Sequence, residues 1–330
     1  MTKRNNIFGI ILLLTAGLLA GCRFADEPER RYEIAVSTGV TGLQKRVASV
    51  NNASDLQSCD LKIDAYFHDT ETKYLDGKKL HYDASEWKFW SNDEPGSQLH
   101  YYWPIEGSVY TPGVGDPITV SSLDFVGFCP FETPGYIVTS PTGPTYNHST
   151  GVSFSCNMGS YMTSAAQAEV KEFMLDTVNT RTAAQGAVPL NFKHPFAIIK
   201  FVITAASGEH VKVDSVGISG LKITGNCVFN GTGIHWSDQG GSGNMSLNNV
   251  NLKYGTATTE TAPFLVVPYE YAGTKHITVK ATWDDWSDVT VRDYGADVTI
   301  NWEAGHVYTY NLTLSKYGLV VDAEKYTEQW

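Results

Sequence analysis

Short runs of alternating apolar and polar residues, separated by glycine, proline, asparagine and aspartate, dominate this chain after residue 32. The stretch from Leu61 to Phe67 (LKIDAYF) shows the alternation, and further short apolar runs such as Ala197 to Ile203 (AIIKFVI) follow. Successive side chains of a strand point to opposite faces, so a period of two predicts strands rather than helices. Strands at this spacing, with turn residues between them, predict an all-β chain built from β-sandwiches.

The segment from Ser164 to Val178 (SAAQAEVKEFMLDTV) is the one stretch whose pattern favours a helix. It is followed by a polar connection of small residues, Arg181 to Gly186, which predicts a domain boundary. A chain of 330 residues is long enough for two domains of ordinary size. We therefore expect an N-terminal sandwich over 32–185 and a C-terminal sandwich over 186–330.

Charged residues make up only 18% of the chain, below the roughly 25% of typical soluble domains. Serine, threonine, asparagine, glycine and tyrosine take their place, which is typical of exported β-proteins. The formal net charge is −11 and no long run of lysine or arginine occurs. Nucleic-acid-binding proteins usually present a basic face, so this composition argues against nucleic acid as a partner.

The first residues resemble a bacterial export signal. Lys3 and Arg4 precede an apolar run that is too short for a stable membrane span, which indicates a signal peptide over residues 1–21. Leu19 to Cys22 (LAGC) resembles the lipobox of bacterial lipoproteins. That resemblance implies cleavage between Gly21 and Cys22 and lipidation of Cys22, with residues 22–31 as a tether. The alternative is an ordinary secretory signal followed by a chance cysteine.

Four further cysteines, at positions 59, 129, 156 and 227, allow three disulfide pairings. An exported chain can form disulfides, whereas the apolar runs around two of these cysteines equally favour buried thiols. No C-x-x-C motif and no paired histidines occur, so a structural zinc site is not expected. The sequence leaves the redox state open.

Motifs for catalysis are missing from the sequence, which contains no HExxH, GxSxG, P-loop or GxGxxG signature. Glu86 beside Trp87 could be desolvated, but no partner carboxylate for glycoside hydrolysis is identifiable. Asp284 and Asp285 are expected to be solvated, and His194 to be structural. We therefore expect neither catalysis nor a cofactor or metal.

Three segments in order resemble the fimbrillin family of Bacteroidetes, which comprises lipoprotein pilins. The first is Asp124–Pro130 (DFVGFCP). The second runs from Phe173–Leu175 (FML) to Leu190–Phe201 (LNFKHPFAIIKF), which is its most specific part. The third is Trp302–Leu314 (WEAGHVYTYNLTL), preceded by FLVVP at Phe264–Pro268. The resemblance implies two transthyretin-like β-sandwich domains in tandem. It also implies a precursor held at the outer membrane through Cys22 and then a subunit of a fimbrium at the cell surface.

In that family a strand near the N-terminus fills a groove until a protease removes it and a strand from another subunit enters. Here the removable strand is expected at Tyr32 to Thr38, with Ile34 and Val36 on one face. The processing site is expected after Arg46, with Val47 as the new N-terminus. Arg30 and Arg31 are rivals, but cutting there would leave the strand attached. The alternative is a permanent edge strand.

The donor strand is expected in the C-terminal stretch from Tyr317 to Trp330, where Leu319, Val321 and Ala323 alternate and Trp330 could fill a pocket. The alternative is a last strand that stays in its own domain. Because the tail is short, a tip or accessory subunit is as compatible with it as a stalk subunit.

The leading hypothesis is thus a structural, tip or accessory subunit of an adhesive fimbria. Its partners are other fimbrial subunits, the membrane, and a host protein or glycan receptor. The alternative is a surface-anchored carbohydrate-binding lipoprotein. Eight tryptophans and 18 tyrosines favour that alternative, although aromatic residues that alternate in strands are more often core or cross-strand pairs.

Overall fold

The computed structural model describes residues 31–40, 53–94, 96–113, 115–138, 144–206, 210–248, 250, 258–269, 271–284 and 289–324. Strands dominate these residues, and the prediction of an all-β chain is confirmed. No helix in the described ranges is long and apolar enough to cross a membrane.

The described residues form 24 strands, two short α-helices and two single-turn 3-10 helices, Gly159–Tyr161 and Ala183–Gln185. The strands and α-helices before residue 186 are β1 (Val36–Val40), α1 (Ala53–Gln57), β2 (Leu61–Phe67), β3 (Lys73–Asp83), β4 (Glu86–Trp90), β5 (Gln98–Leu99), β6 (Val109–Tyr110), β7 (Ile118–Thr119), β8 (Leu123–Cys129), β9 (Ile137–Val138), β10 (Thr145–Asn147), β11 (Gly151–Asn157), α2 (Ser164–Ala168) and β12 (Met174–Arg181).

Those after residue 186 are β13 (Val188–Phe192), β14 (Ala197–Ala205), β15 (Val211–Leu221), β16 (Thr224–Phe229), β17 (Ile234–Gly240), β18 (Gly243–Asn248), β19 (Thr258–Glu260), β20 (Phe264–Val266), β21 (Gly273–Asp284), β22 (Val289–Ile300), β23 (Val307–Ser315) and β24 (Gly318–Glu324).

The helix expected over Ser164 to Val178 is much shorter than predicted. The Thr163 side chain accepts a hydrogen bond from the Ala166 N–H and starts α2, which ends after one turn and a half. The later part of the segment forms β12, because Met174 and Leu175 are buried in two different cores. A strand buried on both faces is apolar at consecutive positions, so its pattern resembles that of a buried helix.

A six-stranded central sheet, with the order β12-β8-β2-β3-β4-β5, organises the first half of the chain. Its strand β8 is buried along its whole length because both faces of the sheet are covered. Phe125 points into one core, whereas Val126 and Phe128 point into another. The central sheet is therefore the middle of three layers.

The first core lies between the central sheet and the two-stranded parallel pair β1–β13. Gly127 in β8 allows this close approach, since a Cβ at that position would lie 2.8 Å from Cδ1 of Leu190 in β13. Residues from both layers are buried there, among them Ile63, Phe125 and Phe192.

On the opposite face, the central sheet packs against a bridging sheet with the order β10-β11-β16-β17, in which β9 also pairs with β11. The third core lies between the sheet β19-β14-β23-β24, with β20 also on β14, and the sheet β18-β15-β21-β22. Trp283 and Trp302 are fully buried in this C-terminal sandwich.

The expected boundary near residue 186 lies in a tight turn. Thr182 and Gln185 cap each other through a reciprocal pair of hydrogen bonds, and Gly186 takes a positive φ of 73° that suits glycine. The chain then returns as β13 into the first core. Moreover, β11 and β16, from either side of the turn, pair in the bridging sheet. Division into two tandem domains stays a prediction.

Candidate functional site

The segment over residues 32–40, here called the N-terminal segment, contains the strand predicted to be removable. Its first part lies against residues 101–103: the Ile34 N–H donates to the Tyr101 carbonyl at 2.7 Å, and the Trp103 N–H donates to the Tyr32 carbonyl at 2.8 Å. Alternate backbone groups of an extended chain point to opposite sides. The Ala35 carbonyl accordingly accepts from the N–H of Val188 on the other side, at 2.8 Å.

From Val36 onward the N-terminal segment runs parallel to β13. The register begins with Val36 opposite Val188 and ends with Val40 opposite Phe192. Parallel strands need a long connection, and here about 150 residues separate the two partners. The segment is therefore held by chain regions that are remote from it in sequence.

Side chains of the N-terminal segment alternate between the first core and solvent. Ile34 and Val36 expose only 2% and 7% of their surfaces, whereas Glu33, Ala35 and Ser37, which alternate with them, are exposed. Leu190 and Phe192 of β13 belong to the same buried cluster. Burial of an isoleucine or valine side chain contributes about 1.5–3 kcal/mol, so the two residues supply a few kcal/mol. Withdrawal of the segment would expose an apolar groove.

The strand β13 beneath the segment is itself anchored by a buried carboxylate. The Asn191 N–H donates to Oδ2 of Asp176 at 2.6 Å. Burial raises the pKa of Asp176 to about 6, although the backbone hydrogen bond from Asn191 opposes the shift. Gly39 lies opposite Asn191 in the register, and a Cβ at Gly39 would be 3.3 Å from the Asn191 Oδ1 atom.

Two features mark the outer end of the N-terminal segment. Glu33 Oε1 and His100 Nδ1 are 2.7 Å apart, at half-exposed positions. A cleft of about 340 Å³ opens where the segment begins, and its lining includes Arg31, Tyr32 and Trp103. Arg31, the first described residue, therefore lies at this cleft.

Several predicted site residues lie outside the described residues. These are the lipidation and signal-cleavage residues Cys22 and Gly21, the expected processing residues Arg46 and Val47, and Trp330. Their roles stay predictions.

The predicted donor strand forms β24 at the edge of its sheet. It makes a hairpin with β23, in which Leu319 lies opposite Leu314 and Val321 opposite Leu312. Leu319 and Val321 pack partly buried against the third core, whereas Val320 is 66% exposed. Of Ala323 the backbone alone is described, opposite Tyr310. The strand thus covers its core only in part.

Among the residues considered for chemistry, Glu86 and His194 lie in different surroundings, and Asp285 lies outside the described residues. Glu86 is exposed rather than desolvated, and its Oε1 lies 3.4 Å from Nζ of Lys88. His194 is buried, with Nδ1 2.6 Å from Oε1 of Glu172. Within the described ranges, no group of three or more histidine, cysteine, aspartate or glutamate side chains could hold a metal ion.

The sequence did not identify the partners of the N-terminal segment. The pattern of β13 was visible, since Val188, Leu190 and Phe192 alternate, and the structure buries all three. No local signal, however, indicates that this strand pairs with residues 36–40. Residues 101–103, which make the short contact with the segment, lie between stretches of irregular chain. They too carry no distinctive motif.

Comparisons with known proteins give a consistent result. Residues 66–330 match the model of a family described as fimbrillin-like. The fold is similar to a crystal structure of a candidate cell adhesion protein from Bacteroides uniformis, with a TM-score of 0.53 and 17% identity over 89% of this chain and 99% of that one. A second candidate cell adhesion protein, from Bacteroides ovatus, gives a TM-score of 0.54 and 12% identity over 90% and 97%.

No curated protein matches the chain by sequence. At the identities of the two solved structures, the likeness shows a shared fold and no more.

Proposed function

The chain belongs to the fimbrillin-like family, and we propose that it is a subunit of a cell-surface fimbria that assembles by strand exchange. Its role is structural or adhesive rather than catalytic. In this proposal the precursor is exported, lipidated at Cys22 and held at the outer membrane. A trypsin-like protease then cuts after Arg46, and the N-terminal segment leaves the fold.

The burial of Ile34 and Val36 between two remote partner regions carries the proposal. A segment held in this way can leave without breaking the chain that forms the rest of the first core, once the connection after Val40 has been cut. What remains is a groove with apolar walls and unpaired backbone groups, which favours the entry of another strand. A strand from a second subunit would restore the main-chain hydrogen bonds and fill the alternate side-chain positions.

The donor in this proposal is the C-terminal strand of a neighbouring subunit, with Leu319, Val321, Ala323 and Trp330 as the residues that enter. Support comes from its partial burial, because an edge strand that covers its own core incompletely costs less to detach than an interior strand. Whether the protein lies in the stalk or at the tip of the filament depends on whether its own C-terminal strand enters a neighbouring subunit.

Cleavage tests the first half of the proposal. The full chain is treated with an arginine-specific protease and analysed by N-terminal sequencing. We expect a new N-terminus at Val47 with the remaining chain folded, and no such product from Arg46→Ala. Arg31→Ala is the matched control and should be cut like the wild type. Surface-assembled protein that starts only at Cys22 would contradict the proposal.

Deletion tests the second half. A chain that lacks residues 319–330 should fold but form no filaments visible by electron microscopy. If the deletion instead prevents folding, as judged by circular dichroism and thermal unfolding, β24 is a permanent part of its own sandwich and does not donate.

Carbohydrate binding is the second candidate function. The observation in its favour is the 340 Å³ cleft, where Tyr32 is exposed beside Trp103, since exposed aromatic rings stack on sugar faces. A glycan array with the full chain, compared with Tyr32→Ala, tests this function. Glycan binding without filaments would favour it over the fimbrial proposal.

A further inference from the structure

Two of the four remaining cysteines meet at one end of the central sheet. Cys59 follows α1 and precedes β2, whereas Cys129 is the last residue of β8. These two strands are neighbours, with Lys62 opposite Phe128. The chains are still joined one residue after Cys59 and two residues after Cys129, because the Phe131 N–H donates to the Asp60 carbonyl at 2.7 Å.

The two thiols influence each other. Both cysteines are thiols in the structure, and each shifts the pKa of the other, which lowers that of Cys59 and raises that of Cys129. Cys129 is buried in the first core, while Cys59 packs partly buried against that core. Both line a cleft of about 630 Å³, so a reagent in solvent can reach Cys59.

The other two cysteines are placed differently. Cys156 lies opposite Gly225, and Cys227 lies opposite Phe154, so the two cysteines are diagonal neighbours on β11 and β16. Cys156 and Cys227 expose only 3% and 0% of their surfaces, so a disulfide reagent in solvent cannot reach either thiol. Both are buried, and burial raises the pKa of Cys156 to about 12. These thiols are expected to stay reduced.

We propose that Cys59 and Cys129 form a disulfide that joins the start of β2 to the end of β8. Of the three disulfide pairings that the sequence allows, the geometry favours the one that includes Cys59–Cys129. Its second bridge, Cys156–Cys227, is not expected to form. The oxidant is a disulfide-bearing compound or protein of the cell envelope. The proposed export supplies that compartment, but the chemistry itself requires only the folded chain.

The reaction is a pair of thiol–disulfide exchanges. The Cys59 thiolate attacks one sulfur of the oxidant, whose S–S bond breaks and whose other sulfur leaves as a thiol after taking up a proton. Cys129 then loses its proton to the solvent of the cleft and attacks Sγ of Cys59, which expels the second oxidant thiolate. Both cysteine sulfurs are oxidised, and the oxidant is reduced to two thiols.

The placement of the two thiols suits this order. Interaction with Cys129 lowers the pKa of the Cys59 thiol to about 7, so a large fraction is thiolate at neutral pH. The same interaction, with burial, raises the pKa of Cys129. The exposed thiol is therefore the more reactive one toward an external disulfide, and the buried thiol resolves the mixed disulfide.

The bridge would close a loop of roughly 70 residues, which restricts the conformations open to the unfolded chain and so stabilises the fold. It also lies after the expected cut at Arg46. The residues that follow the cut would stay attached to the central sheet through α1 and Cys59, whatever happens to the N-terminal segment.

Peptide mapping tests the bridge directly. The purified full chain is incubated with glutathione disulfide, free thiols are blocked with N-ethylmaleimide, and the protein is digested with chymotrypsin, which separates Cys129 from Cys156 by cutting after Phe154. We expect a linked pair of peptides that contain Cys59 and Cys129, with Cys156 and Cys227 blocked. Blocked Cys59 and Cys129, or Cys59 linked to any other residue or to glutathione alone, would overturn the proposal.

Thermal unfolding supplies a second readout. Reduction of the oxidised chain should lower the Tm by on the order of 5 °C. The difference should vanish in Cys59→Ser, whose side chain is partly exposed, and persist in Cys156→Ala. An equal difference in both variants would overturn the proposal. Filament formation is measured separately, so failure of the disulfide is distinguishable from failure of the fimbrial function.

Discussion

The N-terminal segment and strand β24 are both short alternating strands near an end of the chain, yet the fold holds them in different ways. The first lies between residues 101–103 and β13, and its apolar side chains are almost fully buried. The second is the outer half of a hairpin with the strand that precedes it, and it is only half-buried. A strand with remote partners completes its core, whereas a hairpin strand at an edge merely adds to one.

This contrast predicts different roles for the two strands in exchange. Removing the N-terminal segment would open the first core, so the vacancy must be refilled. Detaching β24 would expose less apolar surface and leave the third core closed on its other sides. The four predictions below measure that difference, from the largest effect to the smallest.

Replacement of Ile34 by aspartate in the uncleaved chain should have the largest effect. An unpaired charge would then lie in the first core, and we expect the free energy of unfolding to fall by about 3–5 kcal/mol. Urea unfolding measures the change. The matched control is Ala35→Asp in the same segment, where the side chain is exposed and the change should be small. Equal losses in the two variants would show that the alternation of the segment does not matter.

Replacement of Asp176 by asparagine should remove a pH dependence of the unfolding free energy. This dependence arises beside the N-terminal segment and not at β24. Because the folded pKa of Asp176 is about 6 and the ordinary value is 3.8, the folded chain holds a proton that the unfolded chain has released between these values. The stabilisation is complete below pH 3.8 and is lost as the pH rises through about 6. Asn191 keeps an acceptor in the variant.

At pH 7 the Asp176→Asn variant should be more stable than the wild type by roughly 1–3 kcal/mol. Its urea midpoint should also change less than that of the wild type between pH 4 and pH 7. Asp322→Asn in β24, where the side chain is exposed, should leave both quantities unchanged. A wild-type chain that gains stability from this carboxylate as the pH rises would contradict the assignment.

Truncation of Leu319 to alanine in β24 should cost about 1 kcal/mol, because the side chain is only partly buried on the third core. The same truncation at its cross-strand partner Leu314, which is fully buried, should cost about 2–5 kcal/mol. Chemical denaturation of both variants gives the ratio. A larger loss at Leu319 would mean that β24 is essential to its own sandwich.

The smallest effect is expected for Val320→Thr. This side chain is exposed, and threonine retains the branched shape that suits a strand, so stability should change by less than about 0.5 kcal/mol. If the residue enters a neighbour's groove, filament yield is affected while monomer stability is not. Electron microscopy beside thermal unfolding separates the two results.

The strand content of this chain could be predicted because period-two alternation is a local signal. Leu61 to Phe67 and Ala197 to Ile203 were expected to be strands, and both lie within observed strands. The same signal failed to predict β12, where both faces of the strand are buried, as at Met174 and Leu175. A continuous apolar run does not distinguish a helix from a strand.

The alternation of apolar and polar residues could not predict which strands pair with each other. The pairing of Val36 with Val188 depends on closing a connection of about 150 residues, and nothing in either short sequence encodes it. The shared position of Cys59 and Cys129 at one cleft could not be predicted for the same reason. Sequence left three pairings open, and the adjacency of β2 and β8 brings these two thiols together.

The bridging sheet has a mechanical consequence. Its strands β11 and β16 come from the two halves of the chain and are paired at six consecutive positions, from Val152 opposite Phe229 to Asn157 opposite Thr224. Tension that pulls the halves apart must break this ladder as well as side-chain contacts. A fibre built from such units would therefore resist stretching through the backbone hydrogen bonds within each subunit.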